Sequence, residues 1–307
     1  MQGLVLKSTG SFYRVALAGS SKVFRCRVKG KMRTLDKDTT NPIAVGDKVI
    51  FEEEGTPGDG MISEVLERKN YIIRKSVNLS RQAQILATNM DLALVVATPV
   101  YPRTSTGFID RFLSTAEAYN IPAGVLFNKS DLYDEDVKEY VDTLAGMYRK
   151  VGYRSFIVSA IEESTLNELK EVLKEKITLF SGHSGTGKST LINALVPGLD
   201  LKTTEISIQH LKGKHTTTFA EMHPVEGGGY VIDSPGIREF GILDFDKYEV
   251  SHYFPEIFKV SSGCKFSNCL HVNEKDCAVL RAIEDSQIAL TRYASYISIL
   301  NNEDIFK

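Results

Sequence analysis

Residues 177–195, Ile177-Thr178-Leu179-Phe180-Ser181-Gly182-His183-Ser184-Gly185-Thr186-Gly187-Lys188-Ser189-Thr190-Leu191-Ile192-Asn193-Ala194-Leu195, decide the fold. Ile177 to Ser181 is a short apolar β-run, Ser189 to Leu195 has a helical pattern, and Gly182 to Ser189 between them fits GxxxxGK[ST]. A glycine-rich turn between a strand and a helix aims backbone N–H groups at one point, where the helix amino terminus also favours negative charge. That context predicts a phosphate-binding loop. Gly182, His183, Ser184, Gly185, Thr186, Gly187, Lys188, Ser189 and Thr190 are therefore candidate nucleotide-binding residues, with Lys188 reaching the β and γ phosphates and Ser189 a ligand for Mg²⁺.

Working outward, the base-reading group is sought at the end of another strand. Asn128-Lys129-Ser130-Asp131 follows the β-run Ala123 to Phe127 and fits N-K-x-D, a guanine-reading motif of GTPases. A carboxylate at Asp131 can accept from N1–H and the 2-amino group of guanine, a donor pair that adenine lacks, while the Asn128 amide and the Lys129 stem hold the ring. Such paired polar contacts discriminate steeply, because the wrong base leaves buried groups unpaired. The other reading is a plain Asn/Asp turn. Ser159-Ala160, after the next strand, resembles a backbone segment that supports guanine O6, and only its position recommends it. Asp233-Ser234-Pro235-Gly236 fits D-x-x-G: Asp233 can hold Mg²⁺ through water, and the Gly236 N–H can sense the γ-phosphate. In Gly213-Lys214-His215-Thr216-Thr217-Thr218, Thr217 is the candidate to close the metal shell, the rival being a β-prone threonine run.

Between Asp91 and Ser181, β-runs at Leu92–Ala97, Ala123–Phe127, Ser155–Val158 and Ile177–Ser181 alternate with helical patterns at Phe108–Tyr119, Glu135–Lys150 and Thr165–Lys176. Alternation of this kind predicts parallel βαβ units, an α/β layer structure with ligands at the carboxyl ends of its strands. N-K-x-D precedes the phosphate loop here, the reverse of the usual order, so the domain is expected to be circularly permuted. Five short β-runs before Leu66, punctuated by Gly, Pro and Asp, suggest a small barrel of the oligonucleotide-binding (OB) type, although SH3-like barrels look similar. Residues Glu67 to Asn89 read as a polar connector whose Arg68, Lys69, Arg74, Lys75 and Arg81 either clamp RNA or are merely solvated.

The net charge of −2 hides an asymmetry: residues 1–90 hold 15 Lys/Arg against nine Asp/Glu. Eight basic and no acidic residues occupy the first 35, with Phe12, Tyr13 and Phe24 among them. A basic end bearing aromatics is what a nucleic-acid-facing module needs, and a solvated charged face is the alternative. At 42% hydrophobic and 25% charged, 307 residues exclude a disordered or collagenous chain and suggest about two domains with room for a third. The apolar run Leu92–Val100 is about half a bilayer span. No secretory signal is visible, so a cytoplasmic protein without membrane contact is expected. The lack of heptads suggests a monomer.

Cys264, Cys269, His271 and Cys277 supply three thiolates and an imidazole on two short loops, enough for a closed tetrahedral Zn²⁺ site of structural role, with a disulfide as the rival reading. Cys26 stands apart and reads as a small apolar core residue. The run Ala278 to Asn301 looks helical; its apolar positions read as core, while Arg281, Arg292, Tyr293 and Tyr296 can face RNA.

These motifs carry a resemblance. The chain resembles the bacterial ribosome-small-subunit-dependent GTPases of the RsgA/YjeQ family. The likeness runs through Val45-Gly46-Asp47, Gln84 to Asp91, Ile109-Asp110-Arg111-Phe112-Leu113, Gly213 to Thr218, Pro235 to Phe240, the Cys/His cluster and Arg292-Tyr293-Ala294-Ser295-Tyr296. It implies 30S and 16S rRNA binding through barrel and zinc domain, and ribosome-stimulated hydrolysis of GTP to GDP that assists late small-subunit maturation and drives release. The domain expectation is 1–68 OB-type RNA-binding barrel, 69–90 basic connector, 91–243 permuted GTPase and 244–307 zinc-binding domain. Lys214 stands where the family has arginine, which weakens a bidentate role. Ile237, after Gly236, cannot orient water, so slow intrinsic turnover is expected. His215 becomes the candidate to orient the hydrolytic water, against a merely capping role. Two other readings stay open: an RNA-binding adaptor in which turnover is incidental, and a P-loop ATPase or kinase with an accidental N-K-x-D.

Overall fold

The computed structural model describes residues 1–29, 42–75, 83–201, 220–233 and 246–301. The expectations placed on Arg81, Lys214, His215, Thr217, Gly236 and Ile237 lie outside the described residues.

Strands β1 (Gln2–Ser8), β2 (Tyr13–Leu17), β3 (Val23–Val28), β4 (Lys48–Glu53) and β5 (Asp59–Val65) close in the order β1-β2-β3-β5-β4-β1. Only the β3–β5 pair is parallel, which gives the five-stranded Greek-key barrel of an OB fold. Period-two patterning forms it: along β3, Val23, Arg25 and Arg27 face out while Phe24, Cys26 and Val28 enter the core. Cys26 is thus a core residue, its thiol pushed up to about 12 chiefly by burial. Tyr13 and Phe24 are buried too, so they cannot stack on bases as the sequence suggested. Phe12 stays nearer the surface, with the guanidinium carbons of Arg25 and Arg27 3.8 and 4.8 Å from its ring centre.

The polar connector contains a β-hairpin that its basic residues disguised. Strands β6 (Tyr71–Lys75) and β7 (Ala83–Thr88) pair antiparallel, and Ile72 is fully buried. Arg68 does not reach outward: it grips the buried Asp47 at 2.7 and 2.8 Å and the Pro42 carbonyl at 2.9 Å. Asp47 also accepts from Thr88 Oγ1 at 2.9 Å, and Gly46 (φ +93°) lies so close to β7 that a Cβ there would sit 2.1 Å from the Thr88 carbonyl oxygen. Val45-Gly46-Asp47 is therefore the clasp between barrel and hairpin.

The α/β domain has strands β8 (Leu92–Ala97), β9 (Ala123–Phe127), β10 (Arg154–Ile157), β11 (Ile177–Ser181), β12 (Glu221–Pro224) and β13 (Tyr230–Asp233), ordered β10-β9-β8-β11-β13-β12. All pairs are parallel except β12–β13. Buried on both sides, β8 and β9 read as unbroken apolar runs. Helices α1 (Thr106–Ala118) and α2 (Glu135–Val151) cover one face, where Phe108, Phe112 and Tyr148 pack on Val95 and Phe127. Helices α3 (Asn167–Leu173) and α4 (Lys188–Leu195) cover the other. Strand β12 also pairs with β1, so barrel and α/β domain share one continuous sheet. A bulge between Val5 and Lys7 makes the hand-over: Val5 enters the barrel core, and Leu6 enters the core beneath α1.

The carboxyl-terminal part packs α5 (Pro255–Ser261), α6 (Ala278–Glu284) and α7 (Leu290–Leu300) around Phe254, Ile257 and Tyr296. The helical run expected over Ala278–Asn301 is divided into two helices. The chain turns at Asp285–Ala289, where Ser286 takes a positive φ of 57°. No helix among the described residues is long and apolar enough to cross a membrane.

Candidate nucleotide site and metal cluster

Three loops leave the carboxyl ends of β9, β10 and β11 along one edge of the sheet, and one buried amide ties them. Asn128, fully buried after β9, donates from Nδ2 to the Thr186 carbonyl at 2.9 Å and accepts at Oδ1 from the Ala160 N–H at 3.2 Å. The amide expected to hold a purine ring thus also fixes the phosphate loop against the Ser159-Ala160 loop; its Nδ2 carries two N–H groups, so the two roles are compatible. Gly187 (φ +83°) permits that approach, since a Cβ there would lie 2.5 Å from Asn128 Nδ2. Thr186 is buried and closes its own loop, Oγ1 donating to the His183 carbonyl at 2.9 Å.

Beyond the amide, Asp131 and Ser159 meet: Ser159 Oγ donates to Asp131 Oδ1 at 2.5 Å. Lys129 adopts left-handed backbone (φ +69°) and sends Nζ to the Tyr101 carbonyl at 2.8 Å. Burial lowers the Lys129 pKa, and Asp131 opposes the shift. A carboxylate presented this way can accept a pair of parallel donors.

On the phosphate side, Gly182, Ser184, Gly185, Gly187 and the half-buried Lys188, Ser189 and Thr190 lead into α4. Lys188 Nζ pairs with the carboxylate of Asp233, which ends β13 beside β11. The lysine of the loop and the candidate metal-holding aspartate thus already share one point. His183 packs against Phe108 of α1, ring centres 3.7 Å apart and planes tilted by 33°, a contact the sequence did not suggest.

Far along the chain, the ligating atoms of Cys264, Cys269, His271 and Cys277 lie within 4.8 Å of one another. Cys264 Sγ to Cys277 Sγ is 3.8 Å, and His271 Nδ1 is 3.6 and 3.5 Å from those two sulfurs. Bond lengths of about 2.3 Å to sulfur and about 2.05 Å to nitrogen give tetrahedron edges of about 3.75 and 3.55 Å. The cluster therefore has the dimensions to hold a tetrahedral metal ion. The cysteines are unpaired, and 3.8 Å is no disulfide, which removes that rival. Burial lowers the His271 pKa and so favours the neutral, ligating imidazole. Glu274 holds the ligand loop, accepting from the N–H groups of Leu270 and Val272 at 2.7 and 2.8 Å. Tyr293 and Tyr296 donate to the carbonyls of His271 and Leu270, each at 2.7 Å.

Arg292, proposed above as a surface contact for RNA, is instead fully buried. Its guanidinium donates to Asp110 at 2.8 Å and to both oxygens of Glu256 at 2.6 and 3.1 Å, while Tyr148 donates to Asp110 at 2.9 Å. Helix α7 thus joins α1 of the α/β domain to the metal-cluster loop through adjacent residues. Ile109-Asp110-Arg111 and Arg292-Tyr293 carried this signal, but nothing local paired them.

The family model for the RsgA GTPase matches residues 65–243, and that for the RsgA N-terminal domain matches residues 2–62. The chain is 53% identical over 306 residues to the small ribosomal subunit biogenesis GTPase RsgA of Bacteroides fragilis (strain YCH46), covering 99% of this chain and 97% of that protein. It is 50% identical to the protein of the same name from Christiangramia forsetii, with the same coverage. Among solved structures it resembles YjeQ from Thermotoga maritima (TM-score 0.81, 34% identity, 98% of this chain and 97% of that one) and YloQ, described as a circularly permuted GTPase (TM-score 0.77, 32% identity, 98% and 94%). With its OB-type barrel, reordered α/β domain and Cys/His cluster, the chain belongs to the RsgA GTPase family.

Proposed function

We propose that this protein is a GTPase acting on the small ribosomal subunit, hydrolysing GTP to GDP and phosphate when docked on the 30S particle during late maturation, with hydrolysis driving release. The observation that carries the reading is the buried Asn128, which binds the phosphate loop to the Asp131/Ser159 loop so that a triphosphate and a guanine are read by one rigid unit. Gly182 to Thr190 hold the phosphates by backbone N–H groups and Lys188; Asp131 accepts from the guanine edge, with Ser159-Ala160 beside it. Ser189, Thr217 and Asp233 are the residues to hold Mg²⁺, which supplies charge neutralisation at the transferred phosphoryl group. Gly236 senses the γ-phosphate, and His215 orients the attacking water when the 30S particle docks; Ile237 has no group to do so.

The Cys264–Cys269–His271–Cys277 cluster takes one Zn²⁺, all four positions being filled by protein, so its role is to fix the carboxyl-terminal domain. The barrel's Phe12 with Arg25 and Arg27 suits 16S rRNA, the protein working as a cytoplasmic monomer. Calorimetry with GTP and ATP tests the pocket: Asp131→Asn should cost GTP roughly a hundredfold in affinity and leave ATP unaffected. Binding of both nucleotides alike would refute it. Hydrolysis measured with 30S and with 50S subunits across salt tests the rest: stimulation by 30S alone, falling steeply with salt, is expected. Release unaffected by a non-hydrolysable GTP analogue would favour an adaptor instead.

A further inference from the structure

One in-register row of residues crosses the seam between barrel and α/β domain. Arg14 on β2 pairs with Lys7 on β1, Lys7 with Glu221 on β12, and Glu221 with Asp233 on β13. Directly opposed residues project from the same face of a sheet, so two cations and then two carboxylates stand in line. Contacts join them at both ends. Lys7 Nζ and Arg14 Nη1 reach separate oxygens of Glu221 at 2.6 and 3.2 Å, and Asp233 pairs with Lys188 of the phosphate loop. His223 lies two residues along β12 on the same face; burial lowers its pKa, Glu221 and Asp233 oppose the shift, and Lys7 and Arg14 add to it.

The row is asymmetric in exposure. The side chain of Arg14 is 55% exposed, whereas Glu221 and Asp233 are 21% and 17% exposed. A polyanion can therefore take Arg14 while leaving the carboxylates in place. Opposed carboxylates on neighbouring strands repel, and the barrel cations relieve that repulsion. With Arg14 drawn away, Glu221 keeps, among the described residues, Lys7 as its cation, and the potential at Asp233 becomes more negative.

We propose that Glu221 is a positioning residue through which RNA phosphate bound at Arg14 tightens the hold of Asp233 on Mg²⁺. The proposal rests on the nucleotide-site reading above and adds to it a route by which barrel occupancy reaches the phosphate site. Linkage makes it reciprocal: the Mg²⁺–GTP form leaves Arg14 freer for RNA, and loss of Mg²⁺ returns it to Glu221. A carboxylate about 6–12 Å from a divalent cation, at an effective dielectric close to that of water, is worth roughly three- to tenfold in cation affinity.

The test uses the full chain, a fluorescent methylanthraniloyl-GTP and a magnesium titration, with and without a single-stranded RNA 20-mer. Glu221→Gln should raise the half-saturating Mg²⁺ roughly three- to tenfold, with nucleotide affinity in EDTA unchanged. Arg14→Gln, which removes a cation at an exposed position, should shift it the opposite way by about twofold. The RNA should lower the half-saturating Mg²⁺ of the wild type and leave Glu221→Gln unmoved. A structural clamp predicts something else: the swap Lys7→Glu with Glu221→Lys rebuilds the ion pair and would restore wild-type behaviour, whereas a lysine opposite Asp233 should weaken Mg²⁺ below Glu221→Gln. Restoration by the swap, shifts of the same sign in Glu221→Gln and Arg14→Gln, or no shift in either would overturn the proposal. A wild type that does not prefer GTP to ATP would overturn the nucleotide reading with it; a wild type that does, with unshifted variants, overturns the proposal alone.

Discussion

Arg292→Met removes the guanidinium at the junction of α1, α5 and α7 while keeping most of the side-chain volume. Arg292 and Asp110 are 1% and 0% exposed in their side chains and Glu256 is 11% exposed, so three charge-assisted hydrogen bonds are lost in a place water hardly reaches. Breaking a buried pair by deleting one partner costs about 3–5 kcal/mol, because the charge left behind is uncompensated. At about 2–4 °C per kcal/mol, melting should fall on the order of 10 °C. The pH dependence gives the sharper readout. Burial raises the Asp110 pKa, and Arg292 with hydrogen bonds from Ser295 and Tyr148 pulls it back down. Without Arg292 it must rise further. A carboxyl whose folded-state pKa exceeds its unfolded value binds its proton more tightly when folded, so it stabilises the fold at low pH and loses that contribution as pH rises through the folded value. The deficit of Arg292→Met should therefore be smaller at pH 5.5 than at pH 8 in calorimetric or urea unfolding. Adding Asp110→Asn, which removes the orphaned charge, should recover part of the loss at pH 8. A deficit under about 1 kcal/mol, or one equal at both pH values, would refute the reasoning.

Gly187→Ala puts a Cβ 2.5 Å from Asn128 Nδ2 on left-handed backbone, so GTP affinity should fall at least tenfold in calorimetry and melting should drop by several degrees. Cys277→Ser should lower bound zinc, measured by elemental analysis, to well below one per chain. In the wild type, burial pushes the Cys269 thiol up to about 12, so ligation releases protons and chelator-driven zinc loss should accelerate as pH falls. Cys26, in the barrel core, should resist iodoacetamide at pH 8 in the folded protein and react fully in guanidinium, as peptide mass mapping would show.

Legibility followed locality. Strand–loop–helix grammar around Gly182 to Ser189, the five short β-runs of the barrel and the clustering of Cys264 to Cys277 are visible within a few residues, and the structure has these elements and this cluster as read. Asn128 was found but its tie between two loops was not, because an amide that ties loops and one that holds a ring look alike in sequence. Arg292 was misread because arginine is normally exposed and its partner Asp110 lies 182 positions away. The seam was invisible for the same reason: Lys7 and Glu221 are 214 residues apart. The β6–β7 hairpin was hidden by the charges of Arg74 and Lys75 on a strand that also carries the buried Ile72. The apolar positions continue past Glu284, so periodicity alone did not reveal the turn at Ser286.

The strand shared between barrel and central sheet has a practical corollary for dissecting the molecule. A fragment begun at Asp91 would strip β12 of its β1 neighbour, leaving a row of bare amide and carbonyl groups ready to template another chain. It would also uncover the pocket beneath α1 that Leu6, Ala16 and Val45 fill. Clumping or sluggish turnover by such a fragment would report the cut surface, so the barrel's contribution is better weighed by point substitution in the whole polypeptide than by amputation.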